Sequence, residues 1–297
     1  MAAPVLMLTG ATGFLGQRLL PGLAKDWRVI CASRTAAGPD SIHLDLAQEG
    51  SLSRAFEMFS PSAVVHAAAI ADPDTCERDP ILADRVNVQA VESLARLCAE
   101  STARLVHFST DLVFDGAKSW YTENDAARPL SAYGRGKLQS EEAVLTHCPG
   151  AVVLRISNCY GKPLGRRTCY LDHLRQNLEA RRPVACFTDQ WRTSTAADQL
   201  PEVLGRILAR RNLQGVFHWG GAERATRYEA ALTLCRVMGY DERLVQPALA
   251  RHKQFPAARP CDTSLDSSRL ATALGVAPVG IRDGFAALKG ARGQAPL

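Results

Sequence analysis

Short apolar runs alternate along this chain with longer stretches in which apolar residues return every three or four positions. The runs lie at residues 5–8, 28–32, 63–67, 104–109, 151–156, 184–187 and 216–219. Several are apolar almost throughout, as strands are when helices cover both faces of a parallel sheet. The stretches between them, 81–99 and 132–145 among them, read as amphipathic helices. In the first, Leu82, Val86, Val91, Leu94, Ala95 and Cys98 recur near helical spacing. Strand and helix in alternation predict an α/β fold built on a doubly wound parallel sheet. After about Gly161 the pattern changes. Residues 162–167 are basic and loop-like, and helices are expected at 170–181, 196–211 and 226–238. This half reads as a smaller C-terminal lobe, although the strands near Val184 and Val216 are candidates to return to the main sheet. Residues 291–297, rich in Gly, Pro and Ala, read as a disordered tail. There is no internal repeat.

Composition narrows the classes open to such a fold. At 297 residues the chain can bury a large core, as one domain or a domain with an appended lobe. Its 46% hydrophobic content is that of a soluble globular protein. The net charge of +5 comes without a block of like charges, which argues against nucleic acid as a partner. No apolar run reaches the ~18 residues that span a bilayer, so no membrane partner is expected. The N-terminal run lacks a basic segment before it and a cleavage-like site after it, and reads as a buried strand, not a signal peptide. Nine cysteines are scattered with no C-x-x-C pair. That spacing argues against a disulfide framework and against a metal site, and a reducing cytoplasm is the expected location.

The first strand runs directly into Gly10-Ala11-Thr12-Gly13-Phe14-Leu15-Gly16 and then a helix containing Leu19 and Leu20. A strand, a glycine turn and a helix N-terminus make an anion site, because backbone N–H groups and the helix dipole face the same point. Gly10 permits the tight turn, Gly13 lets the backbone approach a pyrophosphate, and Gly16 allows close helix–strand packing. Thr12, Phe14 and Leu15 complete the turn. The sheet is therefore expected to be Rossmann-type, with residues 1–161 binding a dinucleotide and 162–290 mainly binding substrate. NAD-selective folds carry an acid at the end of the second strand. Here Ser33-Arg34 stands there, with no acid before Asp40. An arginine can pair with a 2′-phosphate, so NADP(H) is expected over NAD(H). Asp45 and Leu46 follow a short strand and could meet the adenine. Ala67, Ala68 and Ala69 end another strand with small side chains that leave room for a ribose. His66 just before them reads as a half-buried, structurally satisfied histidine.

Tyr133 and Lys137 are four apart and share a face if residues 132–145 are helical. A neighbouring ammonium is expected to lower the phenol's pKa, tuning it to give a proton to a carbonyl or take one from an alcohol. Lys137 can also hold a nicotinamide ribose. Ser109 and Thr110 end the strand at 104–109, where the carboxyl ends of parallel strands face a ligand crevice. A hydroxyl there can polarise a carbonyl. Strand neighbours point to opposite faces, so spacing leaves open which of the two does so. Lys162, Arg166, Arg167, Arg192 and Arg259 could hold a diphosphate. The candidate substrate contacts are Ser109, Ser157, Asn158, Arg192 and Arg259.

These motifs, in order, resemble the extended short-chain dehydrogenases/reductases, and most closely the dTDP-4-dehydrorhamnose reductase branch. Ser109-Thr110-Asp111-Leu112-Val113-Phe114-Asp115-Gly116 is similar to its S-T-D-Y-V-F-x-G segment, and His66 to Ala69 with Val86-Asn87 to its alanine-rich strand end and helix asparagine. Leu154-Arg155-Ile156-Ser157 with Tyr160-Gly161 resembles its L-R-x-S…Y-G segment. Asp189 to Thr195 resembles its D-Q-x-G-x-P-T loop, and Arg259-Pro260 with Leu265-Asp266 and Ser268-Arg269-Leu270 its C-terminal signature. The resemblance implies Thr110 as the hydroxyl holding the carbonyl, Tyr133 as proton donor and Lys137 as its tuning partner. It implies an NADPH-dependent reductase of a keto group on a nucleotide-linked deoxysugar, and leaves room for a homodimer. Gly136, Leu112, Arg192 and Ser194 depart from the pattern. Arg192, where the branch has glycine, fills space and brings a fixed charge, so the sugar or nucleotide is expected to differ from the common one. Two alternatives stand beside this reading. One is an NAD-dependent epimerase or dehydratase, against which Arg34 counts. The other is a cofactor-binding regulatory subunit without turnover; the branch includes one associated with methionine adenosyltransferase.

Overall fold

Seven parallel strands form the central sheet of the computed structural model, which describes residues 3–162 and 169–289. In chain order the strands are β1 (Val5–Thr9), β2 (Arg28–Ser33), β3 (Ser41–His43), β4 (Ala63–His66), β5 (Arg104–Thr110), β6 (Val152–Ile156), β7 (Cys159–Tyr160), β8 (Val184–Phe187), β9 (Trp191–Arg192), β10 (Thr195–Ala196), β11 (Gly215–Trp219), β12 (Ala225–Thr226) and β13 (Val245–Ala248). The helices are α1 (Gly16–Leu23), α2 (Ser51–Phe59), α3 (Pro73–Arg78), α4 (Pro80–Asp84), α5 (Ala90–Glu100), α6 (Ala132–His147), α7 (Tyr170–Glu179), α8 (Leu200–Ala209), α9 (Arg227–Met238), α10 (Ser268–Leu274) and α11 (Ile281–Lys289). The sheet runs β11-β6-β5-β4-β1-β2-β3. Strand order reverses between β1 and β4, and such a switch point opens a crevice at the carboxyl ends of the strands. The architecture is the Rossmann-type doubly wound sheet that the alternating pattern predicts.

Side-chain alternation along β1 divides the core into two layers. Leu6 and Leu8 pack with Leu19 of α1, Leu204 of α8 and Leu270 of α10. Met7, between them, joins Leu94 of α5 and Val144 of α6 on the opposite face. A third cluster, in the C-terminal lobe, gathers Leu174 of α7, Leu234 of α9 and Phe285 of α11. β11 joins the main sheet beside β6, whereas β8 pairs with β13 outside it. The difference follows from burial. β11 buries Phe217, His218 and Trp219 in succession and needs cover on both faces, while β8 buries Cys186 alone and suits a two-stranded ribbon. Among the described residues no helix is long and apolar enough to cross a membrane.

The pattern at 81–99 predicts one helix, but the structure interrupts it with a π-helical turn, Arg85–Gln89, between α4 and α5. The widened turn carries Asn87, whose Oδ1 accepts from the Ile70 N–H at 2.9 Å and whose Nδ2 donates to the Ile70 carbonyl at 3.0 Å. Both polar groups of Ile70, on the loop after β4, are satisfied by one buried side chain. Apolar periodicity carries no trace of such a polar anchor. The helix expected at 196–211 begins later, at Leu200, because Thr195 and Ala196 pair with β7 as β10.

Candidate active site

The switch-point crevice opens into a cleft of about 1170 Å³ that reaches from the glycine turn to the C-terminal lobe. Its floor depends on a close approach of the two switch strands. Gly10 has φ +68°, and a Cβ there would stand 2.8 Å from the Ala68 nitrogen. Only glycine fits that turn without strain. Gly10, Thr12, Gly13, Phe14 and Leu15 line the cleft, as do Ala67, Ala68 and Ala69 opposite them. Gly16 does not line it and sits buried at the start of α1. Arg18, which the sequence pattern does not single out, braces the turn from behind. Its guanidinium lies 3.6 Å from the Phe14 ring centroid and donates to the Phe14 carbonyl at 2.6 Å.

At the end of β2, Ser33 and Arg34 line the same cleft with Asp45 and Leu46. The Thr12 hydroxyl lies 3.2 Å from that of Ser33 and 3.0 Å from that of Thr35. Arg34 is exposed at the rim beside these three hydroxyls. The close-packed glycine cradle, the hydroxyl cluster and the guanidinium suit the phosphates and ribose of a dinucleotide. His66 is more enclosed than a half-buried histidine. It is 1% exposed, and its Nδ1 is hydrogen-bonded to Thr9 Oγ1 at 2.8 Å.

α6 begins at Ala132 because the Ser131 hydroxyl accepts the Gly134 N–H at 3.2 Å. A Cβ at Gly134 would come 2.3 Å from the Leu112 carbonyl oxygen, so glycine lets the first turn of α6 lie against the turn after β5. Tyr133 and Lys137 consequently line the cleft together with Thr110. Successive β5 residues diverge. Ser109 donates its hydroxyl to Glu141, whereas the Thr110 hydroxyl donates to Asp111 Oδ1 at 3.2 Å and lies on the side of Tyr133, whose phenol it influences. Ser109, a candidate substrate contact by sequence, thus borders the cleft with its hydroxyl engaged elsewhere. A Cβ at Gly136 would make only an ordinary 3.6 Å contact with Val88, and nothing in the structure explains the glycine.

The electrostatics correct one expectation. The four-residue spacing predicts that Lys137 lowers the Tyr133 phenol, but the phenol is pushed up, first by burial and then by the Asp111 carboxylate, against a smaller opposing effect of the Thr110 hydroxyl. Lys137 is 3% exposed, and its Nζ lies 3.0 Å from His107 Nε2. Burial lowers Lys137 to about 8, and Glu141 opposes that effect. Tyr133 therefore carries its phenolic proton at neutral pH.

Asp111 ties the site to the lobe. Ser157 Oγ donates to it at 3.3 Å, Thr263 Oγ1 also donates to it, and Arg192 Nε lies 3.5 Å away. Arg192 borders the cleft, but its guanidinium is buried and already engaged. Nη1 donates to the Trp191 carbonyl at 2.6 Å and the Cys261 carbonyl at 3.2 Å, and Nη2 to the Pro260 carbonyl at 3.0 Å. Arg192 is thus a brace between two segments, not a free cation for a diphosphate, and the expectation of an altered sugar drawn from its charge loses its support. Ser157 and Asn158 line the cleft. Arg166 and Arg167 lie outside the described residues.

The lobe end of the cleft joins Arg259, a candidate by sequence, to Arg227, Phe187 and Phe255, which sequence reasoning missed. Arg227 stacks 4.3 Å from the Tyr170 ring centroid and donates to Gln190 Oε1 at 3.3 Å. Arg259 pairs with Asp74 at 2.8 Å, and its Nη1 has no partner among the described residues. Phe187 and Phe255 meet edge to face, 6.0 Å between centroids. Two guanidiniums among three aromatic rings suit an anionic ligand with a flat group. Arg227 carries no motif, and only the fold brings α9 to the cleft.

Beneath the cleft lies a buried ion pair. Glu141 of α6 and Arg155 of β6 meet through Oε2 and Nη2 at 2.6 Å, with Arg155 Nε at 3.0 and 3.1 Å from the two carboxylate oxygens. Arg155 also lies over the Phe114 ring and 3.4 Å from His218 Nε2.

Comparison with known proteins agrees with this geometry. The model of the RmlD substrate binding domain matches residues 4–289. The methionine adenosyltransferase 2 subunit beta of Danio rerio is 30% identical, over 89% of this chain and 83% of its own. The probable low-salt glycan biosynthesis reductase of Haloferax volcanii is also 30% identical, over 96% of this chain and 97% of its own. Among solved structures, a dTDP-4-dehydrorhamnose reductase from Clostridium acetobutylicum superposes with a TM-score of 0.86 at 26% identity, covering 96% of this chain and 98% of its own. The Bacillus anthracis dTDP-4-dehydrorhamnose reductase, in complex with NADP, gives a TM-score of 0.88 at 21% identity, covering 97% and 99%. The chain belongs to the RmlD family, the dTDP-4-dehydrorhamnose reductase-like branch of the extended short-chain dehydrogenases/reductases, which are NAD(P)-dependent oxidoreductases of CH–OH and C=O groups.

Proposed function

We propose that this chain is an NADPH-dependent reductase of a keto group on a nucleotide-linked deoxysugar. The observation that carries the reading is that Thr110, Tyr133 and Lys137 line one cleft that has the glycine cradle at one end and Arg227 and Arg259 at the other. On this reading residues 1–161 hold the cofactor and 162–290 mainly the substrate, with β11 returning to the sheet. The hydride for the carbonyl carbon is the chemistry that a bound nicotinamide supplies. Thr110 and Tyr133 hold the carbonyl oxygen, and Tyr133 gives it the phenolic proton. The Lys137 ammonium offsets the negative charge left on Tyr133. Arg227 and Arg259 hold the diphosphate, and the neighbouring aromatic rings take the base. The nine unpaired cysteines suit a reducing cytoplasm.

The test is a panel of nucleotide-linked keto sugars followed by NADPH absorbance. Steady oxidation with at least one member is expected. Silence across the panel, with the cofactor bound, supports the second reading, a regulatory subunit. That reading is favoured by the likeness to methionine adenosyltransferase 2 subunit beta, and it expects stable association with a catalytic partner chain.

Cofactor choice is tested separately at Arg34. Wild type is expected to bind NADPH more tightly than NADH. Arg34→Ala should weaken NADPH by about 10- to 100-fold, the worth of a charge-assisted hydrogen bond, and leave NADH unchanged. Equal weakening of both cofactors in fluorescence titrations would remove Arg34 from the phosphate site.

A further inference from the structure

Behind the proposed catalytic surface lies a layer of buried polar groups that the proton transfer described above does not use. His107 of β5 is fully enclosed, and its Nε2 lies 3.0 Å from Lys137 Nζ and 3.1 Å from Ser140 Oγ. Ser140 donates its hydroxyl proton to the Lys137 carbonyl at 2.7 Å, so toward His107 it offers lone pairs alone. On the other side, the His66 ring of β4 stacks on His107 with centroids 5.3 Å apart. His66 Nε2 and His107 Nδ1 have no partner among the described residues.

Two tautomers of His107 compete for this geometry. With the proton on Nε2, the ring donates to Ser140, and Lys137 can stay at 3.0 Å only as a neutral amine. With the proton on Nδ1, Nε2 accepts from the Lys137 ammonium. A buried ammonium without an acceptor is costly. The second tautomer gives up the bond to Ser140 and leaves the Nδ1 proton without a partner among the described residues. Its Nε2, however, stands 3.0 Å from a lysine that carries its charge below about pH 8 and needs the acceptor, so this tautomer is favoured at neutral pH. Around Lys137 stand Glu141 from its own helix, whose charge favours the ammonium, and the His107 and His66 rings from β5 and β4. Both rings are neutral there. Burial, seconded by the Lys137 charge, holds His66 at about 3 and His107 well below the usual imidazole range.

We propose that His107 is the positioning residue for Lys137: its neutral ring, protonated on Nδ1, accepts a hydrogen bond at Nε2 that fixes the ammonium one helical turn from Tyr133 and keeps it charged. The role rests on the reading of Tyr133 and Lys137 as catalytic, but the bond can be measured without turnover.

In ¹⁵N spectra of histidine-labelled protein at pH 7, the His107 signals, assigned by their loss in His107→Gln, should show Nε2 unprotonated. A protonated Nε2 would overturn the proposal. In protein labelled at lysine Cε, the Lys137 resonance, assigned by its loss in Lys137→Arg, should titrate near pH 8. In His107→Met, which fills the volume without a strong acceptor, the midpoint should fall by at least about one pH unit. In His107→Gln, which keeps a carbonyl oxygen in reach, it should stay near the wild-type value. An unchanged or raised midpoint in His107→Met overturns the proposal. Should that variant fail to fold, the tautomer measured in the wild type decides alone. The alkaline limb of kcat/KM for keto-sugar reduction should follow the same order among the variants. If the wild type reduces nothing while both spectra come out as expected, the reductase reading fails and the His107–Lys137 bond stands.

Discussion

Replacing Tyr133 with phenylalanine is expected to lower the reductase kcat by about 10²- to 10⁴-fold, the usual worth of a positioned general acid. The ring and its packing remain, so affinity for the nicotinamide cofactor should change by less than about twofold. The sign of the pH effect follows from the groups around the site. Tyr133 is pushed above the usual phenol range and stays protonated through neutral pH. Lys137, brought down to about 8, loses its charge as pH rises past that value. Reduction should therefore be flat below about pH 8 and decline above it through loss of the ammonium, well before the phenol ionises. Stopped-flow reduction with a substrate found in the keto-sugar panel separates the chemical step from product release. A variant that retains more than about a tenth of wild-type turnover would show that another group donates the proton.

Removing the carboxylate of Glu141 is expected to destabilise the fold by about 3–5 kcal/mol, the range for breaking a buried ion pair by deleting one partner. Glu141 is 2% exposed and Arg155 5%, so Glu141→Leu leaves a guanidinium enclosed beside Phe114 and His218 with no other carboxylate paired to it among the described residues. Urea unfolding should show the loss as a lower midpoint with little change in slope. The double variant Glu141→Leu, Arg155→Met should recover much of it, because a well-packed apolar pair avoids the desolvation cost of both charges. A single-variant loss below about 1 kcal/mol would mean that water reaches the pair and that it behaves as a surface bridge.

Both experiments probe groups that differ in how far the linear chain announces them. Tyr133 and Lys137 stand four apart on one predicted helix, and Thr110 ends a predicted strand, so local spacing alone brings them under suspicion. Glu141 and Arg155 are fourteen positions apart on a helix and a strand, and neither periodicity nor motif says that they meet. The same holds for Arg227, which reaches the cleft and Gln190 only because α9 packs over the ribbon of β8 and β13. Arg192 shows the converse. The sequence marks it as a charge in a substrate loop, but the carbonyls of Trp191, Pro260 and Cys261 that engage its guanidinium come partly from a segment about seventy positions away.

The amino-acid order by itself determined the central sheet, the glycine turn after β1 and the candidate hydroxyl, phenol and ammonium. Each is written in interactions of short range: apolar periodicity, turn geometry and helical spacing. It also carried the RmlD-family resemblance, because a series of short motifs survives as a series. Only the tertiary structure decided which of Ser109 and Thr110 faces Tyr133, that Lys137 meets His107, and that burial with Asp111 raises the phenol that Lys137 was expected to lower. Those outcomes depend on enclosure and on charges from distant segments. Both are properties of the packed chain in three dimensions, where desolvation of a phenol or an ammonium outweighs the influence of a neighbour one helical turn away.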